Sequence, residues 1–260
     1  MTTTSLPLLL ASASPRRRQI IARLGLPFEV GVSPVDEEAL QERYHGPIEG
    51  LAQWLAERKA MAAHTLPEAA GRLVITADTT VLLNGEVLGK PRDKAHAREL
   101  LLSLRNRWHH VVTGVAVSRR IDGKLQIQSA SCTTPVLMRP YSEEDIAAYI
   151  ASGDPLDKAG AYGIQHPGFQ PTERINGCYL NVVGLPLCVL VNLLAGFGVY
   201  PAAERYEAGE CPWSERCKLN NFSTLKRVVK GQCSCRPLRE RRHTTPETVK
   251  CKCTKEVSKV

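Results

Sequence analysis

The stretch RLVITADTTVLLNGEVLGKP, residues 72–91, does most to decide the fold. It reads as a buried strand followed by a hairpin. Asn84-Gly85 then separates Val81-Leu82-Leu83 from Glu86-Val87-Leu88. That pair is the strongest short hairpin signal, because both residues tolerate the positive φ of a tight turn. Working outward, residues 8–11 are a short apolar strand running into SASPRRRQIIARLG. Ser14 suits an N-cap and Pro15 the first helical position, and Ile20, Ile21 and Leu24 recur at helical spacing. FEVGVS (28–33) alternates like a strand, and residues 47–64 place Leu51, Trp54, Leu55 and Met61 near one helical face. Residues 93–106 form an amphipathic helix, and two strands flank Asp122-Gly123. Ser142 opens a capping box with Asp145. Hairpins mixed with crossovers predict a single α/β or α+β domain over about residues 5–200.

The longest apolar run, residues 178–200, approaches membrane-spanning length. Asn181, Gly184, Pro186 and Asn192 interrupt it, so it reads as a buried strand, a Gly-Leu-Pro turn and a buried helix. Residues 6–11 are too short for a secretion signal and no basic residue precedes them. With 43% hydrophobic residues the chain can bury a sizeable core, and with 5% aromatics that core is aliphatic. The net charge of +8 is unevenly spread, because residues 205–260 hold 14 Lys/Arg against 6 Asp/Glu and the remainder is balanced. Six of the nine cysteines lie after residue 210. The body reads as a neutral, reduced, cytoplasmic-type domain, and the tail as something separate.

The first helix raises a problem. Arg16, Arg17 and Arg18 occupy its first turn, where the helix dipole disfavours cations. The conflict disappears if that end binds an anion. Free backbone N–H groups, the hydroxyls of Ser12 and Ser14 and a bidentate Arg16 suit a phosphate, with Arg17 flanking the site and Arg18 facing solvent. Asp78 ends the apolar run VITA, a place from which a carboxylate is presented into a cleft. Lys90 follows a tight turn. A carboxylate beside several cations suits metal-assisted attack of water on phosphorus. In DPLDKAGAYGIQ (154–165), Gly160 and Gly163 let the backbone approach a ligand, and Gln165 carries the donor and acceptor needed to read a base edge.

The ordered motifs LASASPRRR, WLAERKA, ADTTV followed by GKP, TGV, DKAGAYGIQ and VVGLP resemble those of the Maf family of nucleotide pyrophosphatases over about residues 6–200. The resemblance implies an α/β fold related to the inosine-triphosphate pyrophosphatases: an elongated mixed sheet with flanking helices and a long central cleft. It implies hydrolysis of a nucleoside triphosphate to the monophosphate and pyrophosphate with a divalent cation (Mg, Mn or Co), in a cytoplasmic, often homodimeric protein. Asp78 is then the proton acceptor that activates water. Lys59, Lys90 and Lys158 neutralise the triphosphate, and Arg16, Thr79 and Gln165 fall at positions linked to substrate choice. A metal-binding carboxylate is expected at Asp36 or Glu37. The DKAGAYGIQ form is similar to the branch acting on dTTP and UTP, including modified pyrimidine nucleotides. His166-Pro167 departs from the glycine common after that glutamine.

The domain plan expected is 1–203 for the enzyme-like body and 204–260 for a basic, Cys-rich extension. In the extension, Cys211-x5-Cys217, Cys233-x-Cys235 and Cys251-x-Cys253 lie near His243. Three readings stay open: a Zn or other soft-metal site, although the familiar C-x2-C spacing is absent; a basic extension without a fold of its own; or disulfides. A second function stays open with them, a nucleic-acid or partner-binding protein acting through this tail.

Overall fold

A computed structural model describes residues 6–201. The tail, with the expected 204–260 domain, its zinc site and its nucleic-acid contacts, lies outside the described residues. In chain order the elements are β1 (Leu8–Ala11), α1 (Pro15–Ala22), β2 (Phe28–Gly31), α2 (Glu37–Glu42), α3 (Leu51–Ala63), β3 (Leu73–Leu83), β4 (Glu86–Leu88), α4 (Lys94–Leu104), β5 (Trp108–Ile121), β6 (Lys124–Met138), α5 (Glu143–Ala151), β7 (Thr172–Ile175), α6 (Tyr179–Val183) and α7 (Leu187–Gly196). The strands form one seven-stranded mixed sheet in the order β2-β1-β3-β5-β6-β7, with β4 paired to β3. β1 runs parallel to β2 and β3, and every other pairing is antiparallel. The expected mixed α/β sheet with flanking helices is therefore the architecture. No helix among the described residues is long and apolar enough to cross a membrane.

Side chains alternate between the two faces of each strand, and this sorts the core into layers. On one face, Leu8 and Leu10 of β1, Ile75 and Ala77 of β3 and Val115 and Val117 of β5 pack against α1, α6 and α7. Farther along that face, Val81, Leu83, Val111, Val136 and Met138 meet α4 and α5. On the opposite face α3 lies across β3, β5 and β6. Asn84 and Gly85 adopt positive φ at the β3–β4 turn, as do Asp122 and Gly123 between β5 and β6. Both capping-box hydrogen bonds of Ser142 and Asp145 are present.

Two expectations are corrected. The buried face of α3 is not the one marked by Trp54 and Met61; it consists of Leu51, Ala52, Leu55, Ala56, Lys59, Ala60 and Ala63. Met61 is exposed, and Trp54 lies against Tyr44 and Arg58. Alanines win this face because the helix sits almost on the sheet backbone. A Cβ at Gly114 of β5 would come within 2.3 Å of the Ala52 carbonyl oxygen. The second correction is at 179–183, which is a short helix rather than a strand. Cys178 caps it by accepting from Asn181 N–H, and the fully buried Asn181 side chain needs polar partners on β5 and β6 that a helical turn supplies. The strand in this part of the chain is β7, which the sequence pattern did not reveal.

Candidate active site

Asp78 lies near the middle of β3, 7% exposed, on the face covered by α3. Two residues earlier on that face, Thr76 donates to the Ala56 carbonyl at 2.7 Å, which fixes α3 over the strand. Lys59 follows Ala56 by three residues and so points the same way. Its ammonium is 2.6 Å from Asp78 Oδ1 and 2.6 Å from Glu37 Oε1. Ser33 Oγ donates to the Lys59 carbonyl at 2.8 Å, tying the approach to α2 to the same helix. Lys90, beyond β4, reaches Glu37 Oε2 at 3.4 Å. Four segments thus bring two carboxylates and two ammonium groups together. Burial opposes the charge on Glu37, but Lys59 and Lys90 prevail and hold its carboxyl at about 2.

The acidic pair is resolved by position. Asp36 accepts from Ala39 N–H and caps α2, whereas Glu37 turns into the cluster. Among the described residues, no group of three or more His, Cys, Asp or Glu is placed to hold a metal. Glu37 and Asp78 nevertheless present hard oxygen donors to one shared cation, the Lys59 ammonium. That donor set fits a magnesium-type ion, which takes one or two carboxylates and completes its shell with phosphate and water.

The arginine turn lies on the other side of β3. Ser14 caps α1 by accepting from Arg17 N–H, and Ser12, 9% exposed, accepts from Ser14 N–H at 3.3 Å. Arg16 is half-buried, and among the described residues its side chain makes no hydrogen bond or ion pair. Arg17 does more than flank the site. Its guanidinium donates to the Ala77 carbonyl at 2.8 Å and to Thr79 Oγ1 at 3.1 Å, one residue to either side of Asp78. It also donates to the Gly184 carbonyl at 2.9 Å and to Ser12 Oγ at 3.4 Å. Burial lowers its pKa, and the nearby Asp78 and Glu37 charges oppose that shift. No local signal in PRRR separates Arg17 from its neighbours; only the fold does.

The segment carrying Lys158 and Gln165 is built differently. Gly160 N–H donates to the Gly89 carbonyl at 3.0 Å, which sets this segment beside the turn bearing Lys90. The Lys158 ammonium is taken up locally, 2.9 Å from Asp154 Oδ1 and 2.7 Å from Asp157 Oδ1. Tyr149 donates to Asp154 and accepts from Gly163 N–H. Tyr162 pairs with the buried His109 at 2.6 Å. His166 Nδ1 accepts from Phe169 N–H, and Phe169 stacks on Tyr149 with centroids 4.2 Å apart. Gln165 itself is exposed. The structure therefore gathers Asp78, Lys59, Glu37 and Lys90, sets Thr79, Ser12 and Arg17 behind β3, and leaves Asp36 and Lys158 bound to their own segments.

Comparison with known proteins shows the family. The Maf-like protein family matches residues 7–197. A dTTP/UTP pyrophosphatase of Thermomicrobium roseum is 46% identical over 225 residues, covering 85% of this chain and 98% of that protein. A dTTP/UTP pyrophosphatase of Moorella thermoacetica is 48% identical over 196 residues, 74% of this chain and 95% of that protein. One from Pectobacterium atrosepticum is 44% identical over 197 residues, 75% of this chain and 95% of that protein. With the family match over residues 7–197 and identity of this order over most of the chain, the chain belongs to the Maf-like family.

Proposed function

We propose that this chain is a nucleoside triphosphate pyrophosphatase that hydrolyses dTTP and UTP to the monophosphate and pyrophosphate. The observation that carries the reading is the Lys59 ammonium, 2.6 Å from both Asp78 and Glu37, with Lys59 and Asp78 buried and Glu37 open to solvent. A buried carboxylate beside fixed cations is what attack of water on a polyanion requires. A triphosphate carries about four negative charges that repel a nucleophile, and preorganised cations offset that charge as it shifts in the transition state. Asp78 accepts the proton of the attacking water, and Lys59, 2.6 Å away, orients it. Lys90, half-buried Arg16 and the hydroxyls of Ser12 and Ser14 bind the phosphate chain at the start of α1. Glu37 and Asp78 hold a divalent cation, which supplies Lewis-acid polarisation of phosphoryl oxygens when bound. Thr79 and Gln165 contribute to the choice of base, with Lys158 shaping the loop that presents Gln165. The preference for dTTP and UTP is supported by the three pyrophosphatase relatives.

The test is a panel of nucleoside triphosphates assayed for pyrophosphate release with added Mg, Mn or Co. The expected result is turnover of dTTP and UTP that Asp78→Asn reduces by about a thousandfold or more, with the variant still folded by circular dichroism. Wild-type turnover by Asp78→Asn, or release of orthophosphate in place of pyrophosphate, overturns the reading.

A further inference from the structure

A buried network behind β3 fixes the direction of one hydroxyl in the site. The Asn181 side chain anchors it. Its amide nitrogen donates to the Val111 carbonyl and to Thr134 Oγ1, both at 2.9 Å, and its amide oxygen accepts from Thr113 N–H at 3.2 Å. The backbone carbonyl of Asn181 receives no N–H from the end of its own helix, because those of Gly184 and Leu185 both go to Leu180. Thr113 Oγ1 serves that carbonyl instead, at 2.9 Å. A hydroxyl has one hydrogen and two lone pairs, so Thr113 has no hydrogen left for its neighbour. The 2.9 Å contact between Thr79 Oγ1 and Thr113 Oγ1 therefore has Thr79 as the donor. Arg17 donates to Thr79 at 3.1 Å and uses one of its lone pairs. A single lone pair is all that Thr79 keeps for a ligand. Thr113, Thr134 and Asn181 are fully buried, and reversing the chain would leave the Asn181 carbonyl without a donor, which is costly.

Thr79 is half-buried, so that lone pair is within reach. β5 covers one edge of β3 throughout, but on the other edge β1 pairs only as far as Ile75 and β4 begins at Val81. No strand covers residues 76–80 there. A ligand laid along this edge meets Asp78 on one face of β3 and Thr79 on the other. Phosphate is not what meets Thr79, because phosphoryl oxygens are acceptors and need a donor. The lone pair calls for an N–H. Uracil and thymine carry one at ring nitrogen N3, where cytosine carries a lone pair of its own.

We propose that Thr113, anchored by Asn181, is a positioning residue that holds the Thr79 hydroxyl as an acceptor, and that this fixed direction rejects cytosine nucleotides in favour of uracil and thymine nucleotides. The inference rests on the proposed function and adds to it how the base is told apart. Two bases of nearly equal size are separated by the direction of one hydrogen. Against cytosine N3, two lone pairs face each other with no hydrogen between them, and a buried polar group left unpaired is what gives such a site its selectivity.

The experiment is calorimetric titration of the full chain, in the presence of Mg, with the α,β-methylene analogues of UTP and CTP, whose altered bridge resists cleavage. The unaltered chain is expected to bind the UTP analogue more tightly by about a hundredfold or more. Thr113→Val keeps the shape and loses the hydroxyl, so Thr79 can turn its hydrogen to the ligand. That variant is expected to lose about tenfold or more of the preference, and Thr113→Ser to keep it. A merely structural role for Thr113 would weaken both analogues alike. Equal binding of the two analogues by the unaltered chain, or an undiminished preference in folded Thr113→Val, overturns the proposal. If Thr113→Val does not fold, Thr79→Val decides: it removes the lone pair and is expected to lose the preference, and a preserved preference overturns the proposal. A chain that shows the preference and its dependence on Thr113 but releases pyrophosphate from no nucleotide counts against the proposed function alone.

Discussion

Lys59 and Lys158 have nearly the same immediate chemistry and opposite uses. Each ammonium is almost inaccessible, with side chains 7% and 9% exposed, and each is shared by two carboxylates. The partners of Lys59 come from β3 and the first turn of α2, 19 and 22 residues away in sequence. Those of Lys158 lie one and four residues away. A pair closed within five residues shapes its own turn and survives whatever the rest of the chain does. A pair closed across three elements exists only when the fold is complete, and it concentrates charge where nothing local requires it. The difference separates a local clamp from a charge cluster assembled by the whole fold.

The sharpest way to break the comparison is to remove each lysine in turn. Lys59→Met is expected to lower turnover by about a hundred- to a thousandfold. It also removes a cation that holds the Glu37 carboxyl low, so the Glu37 pKa is expected to rise, as a titration followed by NMR would show. Unaltered turnover would show that the long-range pair is scaffolding after all. Gly114→Ala attacks the same pair from beneath. A methyl group 2.3 Å from the Ala52 carbonyl must lift α3, at a cost of about 3 kcal/mol or more in unfolding free energy. Activity is expected to fall even where the variant stays folded; denaturant titration with parallel assays measures both.

The loop side gives smaller, different effects. His109, 1% exposed, is kept neutral by burial, with its pKa lowered to about 4. The unfolded chain binds this proton near the ordinary value of 6.5. Stability from the neutral ring is therefore complete above that value and drains away as the pH falls from 6.5 towards 4, by roughly 3 kcal/mol in all. His109→Gln is expected to flatten this part of the stability–pH curve, as chemical denaturation at stepped pH would reveal. Lys158→Met is expected to be the mildest: about a tenfold rise in KM with turnover little changed. If Lys158→Met lowers turnover as much as Lys59→Met, the contrast between the two lysines fails.

What the sequence disclosed followed range. The β3–β4 turn at Asn84-Gly85, the cap at Ser14 and the box at Ser142 are decided within four residues, and all form as expected. Asp78 and Lys59 were legible through motifs that resemble a family, since nothing in AERKA alone says that Lys59 is buried. The choice of Glu37 over Asp36 was not legible, because it depends on Asp36 being needed by Ala39 N–H. The inward turn of Arg17 depends on acceptors 60 and 167 residues away. YLNVV, apolar and β-branched, reads as a strand until the partners of Asn181 are known.

Asp78 and Thr79 are adjacent on β3 and therefore project into opposite layers, the carboxylate towards α3 and the hydroxyl towards Arg17 and Thr113. A slip of β3 by one residue would exchange them. The carboxylate would then enter the layer of Thr113 and Asn181, where no cation is spare because Arg17 is already committed to backbone carbonyls and hydroxyls. Lys59 and Glu37 would meet a residue that carries no charge. Burying an unpaired charge is costly, so the misaligned sheet is penalised on both faces at once. Asp78 thus also serves as the alignment mark of the central strand, and a variant that neutralises it loses a safeguard against misalignment.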